Sequence, residues 1–170
     1  MNQYIQLAKS AVEKYIKEGE VIQPPQGLPA EFFQKRAGVF VTIENNKQLR
    51  GCIGTYLPTK GNIAEEIIFN AISAATKDYR FNSIIKEELL YLSYTVYVLN
   101  PPEPIKNTKE LNPKKYGVLV KSGMKSGLLL PDLGGVDTIK QQISIACQKA
   151  GIDQEIEEIT IYKFTVEKYQ

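Results

Sequence analysis

The segment LRGCIGTY (49–56) holds the residue types best placed to do chemistry. Read as a strand, its side chains alternate, so Arg50 and Cys52 share one face while Leu49 and Ile53 share the other and take the core. A permanent positive charge beside a thiol favours the thiolate, the form that acts as nucleophile or redox sensor. Gly51 and Gly54 bracket Cys52 and permit close approach by a ligand or by another backbone. The same residues also admit a structural reading, in which a small cysteine is buried in a strand and Arg50 is salt-bridged to a neighbour.

Two further groups could serve such a thiol. DYRF (78–81) follows a helical pattern. Asp78 and Arg80 can form a bidentate pair that fixes a chain reversal, or stand in a cleft as a carboxylate and an anion clamp. Glu87 and Glu88 precede a Tyr-rich strand and read as a solvated face or the first turn of a helix, with Glu88 joining Asp78 as a candidate proton shuttle. The chain contains no histidine. That excludes a Ser-His-Asp triad, a Cys-His dyad and a His-containing zinc site, and leaves acid–base work to Asp, Glu, Lys, Tyr or a thiol.

The second cysteine, Cys147, lies four residues after Ile143 on the apolar stripe of a helix and reads as core. Two cysteines without a CxxC pair exclude a disulfide scaffold and a Cys-only zinc site within one chain, and suit a reducing compartment. Neither G-x-G-x-x-G after a strand nor G-x-x-x-x-G-K-[ST] occurs, so nucleotide binding by those fingerprints is unsupported, and no cofactor or metal is assigned. GCIG has GxxG spacing, but it sits in a strand rather than between two helices, which argues against an RNA clamp.

These residues need a frame. At 170 residues with 43% hydrophobic and 24% charged content, the chain is long enough to bury a core without staples. Its formal charge of +2 gives no general pull toward nucleic acid or anionic membrane. Residues 2–18 have helical periodicity through Ile5, Ala8, Val12, Tyr15 and Ile16, closed by Gly19. QPPQGLP (23–29) is a loop, and GVFVTIE (38–44) alternates with Val39, Val41 and Ile43 on one face. ENNK turns the chain back into LRGCIGTY, forming a hairpin. Asn62 and Glu65 give a capping signal for a helix with Ile63, Ile67, Ala71, Ala74 and Ala75 inward, ending near Lys77.

YLSYTVYVL (91–99) is a strand broken by NPPEP (100–104). Short strands follow at 117–120 and 128–130, with Gly123 and Gly127 suited to the hairpin turn between them. A helix capped by Asp137 runs to Ala150, with Gly151 after it, and EITIYKFTV (158–166) is the last strand. The order α-β-β-α-β-β-β-α-β, built from hairpins, predicts an α+β protein with a largely antiparallel sheet and about three helices packed on it. The N-terminus lacks signal-peptide features and no apolar run approaches ~20 residues, so a cytoplasmic protein with no membrane association is expected. From Lys106 to Lys125 there are six lysines and one glutamate but a single aromatic, Tyr116. Single-strand binders interleave aromatic platforms with basic residues, so a solvated basic surface is the better reading and nucleic acid the weaker one.

LRGCIG after the GVFVTI strand, followed by AISAATKDYRF (71–81), EELLYLSYTVYVL (87–99), the LLLP step (128–131) and the CQKAGI helix end (147–152), resembles the AMMECR-one domain family. The similarity is to proteins called protein A in the bacterial and archaeal AmmeMemoRadiSam set, and it covers nearly the whole chain. The resemblance implies one domain over 1–170, two-lobed, with antiparallel sheets and a cleft near residues 49–56. It implies association with Memo-like and radical-SAM proteins, and it brings no established reaction. The signature residues fall on Arg50, Gly51, Cys52, Ile53 and Gly54, then Asp78, Arg80 and Phe81. One departure is that relatives commonly carry an aromatic, often Trp, after the LP step, where this chain has DLGGVD and no Trp anywhere.

Three functional readings follow. The first is a binding or accessory protein using the LRGCIG face, with Arg50, Gly51, Gly54, Arg80 and Phe81 as contacts, because the sequence supplies a candidate nucleophile but no identifiable base. The second is a Cys-dependent enzyme or covalent carrier, with Cys52 activated by Arg50, Asp78 or Glu88 moving protons, and Arg80 binding an anionic group. The third is a weak polyanion binder using the 106–125 lysines.

Overall fold

The computed structural model describes residues 2–170. The chain forms two compact units, one comprising the residues up to Leu99 together with Glu167–Gln170, the other Asn100–Val166. In the first unit, helix α1 (Gln3–Glu18) is capped by the Asn2 side chain and closed by Gly19 in the left-handed conformation. A short helix α2 (Glu31–Gln34) precedes the hairpin of β1 (Val39–Asn45) and β2 (Gln48–Thr55). The hairpin turn is Asn46–Lys47, both at positive φ, the geometry that matches the twist of two-residue hairpins.

Helix α3 (Ile63–Thr76) starts at Asn62, whose side chain accepts from the Glu65 amide, as the capping signal predicts. Strand β3 (Leu92–Leu99) follows a 3₁₀ turn over Lys86–Tyr91. The sheet runs β2-β1-β3-β8, with β8 (Val166–Tyr169) at one edge and β2 at the other. β1 pairs antiparallel with both β2 and β3. Val39, Val41 and Ile43 are fully buried on one sheet face, against a cluster that includes Ala8, Val12, Ile67 and Ala71. Burying such side chains contributes about 2 kcal/mol each.

The second unit has its own sheet and core. Strands β4 (Glu103–Pro104), β5 (Gly117–Ser122), β6 (Lys125–Leu129) and β7 (Thr160–Phe164) form the order β4-β7-β5-β6, with antiparallel pairings. Helix α4 (Ile139–Ala150) buries Ile143, Ala146 and Cys147 against Val118, Val120 and Leu129. The α+β class with antiparallel sheets is therefore the observed one.

Three expectations about elements are corrected. The predicted strand 158–166 is two strands in two different sheets, interrupted at Thr165, whose carbonyl and hydroxyl both accept from Asn100. Thr138, not Asp137, caps α4: its hydroxyl accepts from the Gln141 amide, while Asp137 pairs with Lys114. Gly123 makes the β5–β6 turn at positive φ, but Gly127 lies within β6 under α4. No helix among the described residues is long and apolar enough to cross a membrane.

Candidate functional site

The β1–β2 pairing slips by one residue between Ile43, opposite Gly51, and Glu44, opposite Leu49. Arg50 is the extra residue of this bulge. A bulge breaks the two-residue alternation and re-aims the side chain it carries. Leu49, expected in the core, is accordingly 42% exposed, while Ile53 beyond the bulge still packs on the core.

Arg50 is consumed by structure. Its Nε and Nη2 donate to Glu88 Oε1 and Oε2 at 2.7 and 2.9 Å, a fork-on-fork pair. Nη1 donates to the Asn82 carbonyl at 2.7 Å and Nη2 also to the Ser83 carbonyl at 3.3 Å. Glu88 accepts further from the Ile85 amide and the Asn45 side chain. Hydrogen bonds from Arg50 chiefly, with those other donors, hold the Glu88 carboxyl below its ordinary pKa. This pair ties the bulge to the 3₁₀ turn before β3. Of the two places expected for Glu88, the first turn of a helix is the observed one, where it forms a half-buried ion pair rather than part of a solvated face.

Asp78 is engaged in the same way. Its carboxylate is 4% exposed and accepts from Arg80 Nε at 2.9 Å, Arg80 Nη2 at 2.7 Å, the Arg80 amide at 3.2 Å and the Cys52 amide at 2.9 Å. β2 is an edge strand, so the Cys52 N–H would otherwise meet water or another chain. Asp78 thus covers the edge and, with the Phe81 amide donating to its carbonyl, closes the DYRF turn. Hydrogen bonds from Arg80 first, then from the Cys52 amide, outweigh burial and hold its carboxyl at about 2. A proton shuttle at neutral pH needs a pKa near the working pH. Asp78 and Glu88 are both held on the ionised side and are fully bonded, and the geometry argues against that role for either.

Cys52 is half-buried on the sheet face opposite the core, opposite Thr42, whose hydroxyl donates to Sγ at 3.2 Å. Arg80 is a cation that interacts with it electrostatically. Arg80's own pKa is raised first by its hydrogen bond to Asp78, with smaller contributions from the charges of Asp78, Cys52 and Tyr79. Arg50, expected beside Cys52, is bonded to Glu88 at the bulge. Phe81 lies beneath both guanidiniums, 6.0 Å from Arg50 Cζ and 5.5 Å from Arg80 Cζ.

The two glycines serve the protein's own packing. A Cβ on Gly51 would stand 2.1 Å from the Ala74 carbonyl oxygen of α3, and one on Gly54 would stand 2.2 Å from the Phe40 ring. The close approach expected at these positions is made by a helix backbone and an aromatic ring, not left to a ligand. Sequence reasoning missed a neighbouring feature, Glu66. It is fully buried on α3 and accepts from the Thr55 and Thr59 hydroxyls and from the Thr59 and Lys60 amides at 2.7–2.8 Å, fixing the loop after LRGCIGT. Asn70, one turn on, donates to the Val39 carbonyl. The signal was present as Glu66 and Asn70 at i, i+4 inside an otherwise apolar helix.

Of the 106–125 lysines, Lys114 and Lys125 pair with Asp137 and Glu157. Lys115 stands over Tyr116 and Lys121 over Tyr162. Cys147 is buried in the second core, and burial raises its thiol pKa. No group of three His, Cys, Asp or Glu among the described residues is placed to hold a metal ion.

The AMMECR1 family model matches residues 5–169. The chain belongs to the AMMECR1 family. It is 50% identical over 168 residues to a Thermotoga maritima protein, covering 98% of this chain and 97% of that one. It is 45% identical to the Clostridium acetobutylicum protein CA_C1420, of which it spans 36%, so the AMMECR1 module also occurs within a longer chain. The crystal structure of the uncharacterized protein PH0010 from Pyrococcus horikoshii has a TM-score of 0.88 at 34% identity, covering 97% of this chain and 88% of that one. None of these relatives' names states an activity.

Proposed function

We propose that this AMMECR1 protein is a non-catalytic binding protein whose LRGCIG–DYRF face receives an anionic group of a partner or ligand. What supports the reading is how the motif's charges are used. Arg50, Glu88 and Asp78 are each committed to several intramolecular bonds. Arg80 has a side chain 44% exposed, with its Nε and Nη2 held by Asp78. It sits over Phe81 beside Cys52, already oriented by Asp78, so an incoming carboxylate or phosphate meets a guanidinium that loses little conformational freedom on binding.

The partner class follows from the family resemblance: a Memo-like or a radical-SAM protein of the same cell. The test is co-purification of those two proteins with tagged wild type, Arg80→Ala and Cys52→Ala. Capture by wild type and Cys52→Ala but not by Arg80→Ala is expected. Capture unaffected by Arg80→Ala, or no capture at all, overturns it.

One observation favours a second reading, in which Cys52 reacts. The Thr42 hydroxyl donated to Sγ, with Arg80 nearby, stabilises negative charge on sulfur. A functional defect in Cys52→Ala that Arg80→Ala does not share would select it.

A further inference from the structure

The outward side of α3 borders a feature that no part of the LRGCIG face uses. Successive helix residues step by 100°. Ile67, Ala71 and Ala74 therefore face the sheet, whereas Glu65, Ile68, Phe69, Ile72 and Ser73 lie on the opposite side. That side, the end of α1 and the segment Val21–Pro24 enclose a cavity of about 380 Å3. The size falls within the range of small-ligand pockets.

Its walls are apolar through Tyr15, Ile22, Ile68 and Ile72, and two cations guard it. Lys60 Nζ stands 3.9 Å from the Phe69 ring centre and Lys77 Nζ 5.6 Å from the same centre. Among the described residues neither ammonium has a carboxylate within 4 Å. The acid at the mouth, Glu65, is occupied, accepting from the Gly61 amide and the Asn62 side chain. Ser73 lines the cavity at 4% exposure. Phe69 and Val21 stay 40% and 59% exposed at the rim.

We infer that this cavity is a binding site for a small amphipathic carboxylate. An aromatic or short aliphatic body would lie against Ile22, Ile68 and Ile72, and the carboxylate would sit between Lys60 and Lys77. The charge balance decides the ligand's sign: two ammonium groups against the single Glu65 carboxylate leave the mouth of an apolar pocket net positive, which disfavours a cation and gives a neutral molecule no electrostatic gain. The site is independent of Arg80 and Cys52, so it stands or falls apart from the proposed function.

The test uses the full chain. Fluorescence of 1-anilinonaphthalene-8-sulfonate, an apolar anion, is titrated on the native protein, then displaced with 4-phenylbutyrate and, in parallel, with uncharged 4-phenylbutanol. Saturable one-to-one binding displaced by the acid well before the alcohol is expected. The double variant Lys60→Met/Lys77→Met should weaken dye and acid by about tenfold, from two partly exposed charge contacts. If that variant melts early, Lys77→Gln alone and a rise in salt should each give a smaller loss in the same direction. No binding to the native protein, equal displacement by acid and alcohol, or unchanged affinity in the lysine variants overturns the inference.

Discussion

Replacing Asp78 by asparagine separates its charge from its shape. The amide oxygen can still accept from the Cys52 N–H, but Arg80 loses an ionised partner. The wild-type carboxyl is held at about 2 against an ordinary 3.8, with the Arg80 hydrogen bonds as the largest cause. A depressed acid contributes stability that is fully present above its unfolded pKa and disappears as pH falls through the folded one. At 1.36 kcal/mol per pH unit the difference is worth about 2 kcal/mol at neutral pH. Asp78 is almost fully buried, so solvent screening removes little of that. Glu88, Glu110, Glu157 and Glu167 are also held low, so the wild type alone would report a mixture. The informative quantity is the gap between wild type and Asp78→Asn in urea unfolding followed by circular dichroism. It should be about 2 kcal/mol at pH 7 and fall to about 1 kcal/mol or less by pH 2.5. A gap that is absent at pH 7, or the same at both, would refute the claim that Asp78 is a permanently ionised strut.

Gly51→Ala puts a methyl group 2.1 Å from a helix carbonyl that cannot swing aside. It should cost about 3 kcal/mol and lower the melting temperature, measured by calorimetry. Glu66→Leu leaves the Thr59 and Lys60 amides without their acceptor, a loss of about 3 kcal/mol, with hydrogen exchange accelerated across residues 56–62. Arg50→Lys keeps the charge but loses the fork onto Glu88, and should cost about 1–2 kcal/mol in urea unfolding.

Much of this arrangement was legible in the residues. Val39, Val41 and Ile43 alternate because they line one buried face, and Asn62 and Gly19 sit at helix ends because a side-chain cap and a left-handed residue satisfy backbone groups left over there. The LRGCIG and DYRF segments do meet, since the Cys52 amide donates to Asp78. What alternation could not reveal was the bulge at Arg50, which depends on how β2 registers against β1. Without it, strand spacing alone puts Arg50 on the same face as Cys52. The split of the last strand at Thr165 was equally hidden, because both halves carry strand-forming residues and only tertiary pairing assigns them to different sheets. Gly51 and Gly54 were legible as sites of close approach, but what approaches is set by the fold.

The central claim is that Arg80, and not the Cys52 thiol, is what this face presents to a partner. The Cys52 amide reports on it directly, because that N–H is held by the same carboxylate that orients Arg80. The decisive measurement is an amide-resonance titration of ¹⁵N-labelled protein with the purified Memo-like protein, repeated in Cys52→Ala and Arg80→Ala. Perturbation centred on residues 52 and 78–81 in wild type and in Cys52→Ala, and lost in Arg80→Ala, is the predicted result. Perturbation that survives Arg80→Ala, or that falls on the 106–125 lysines instead, would contradict it.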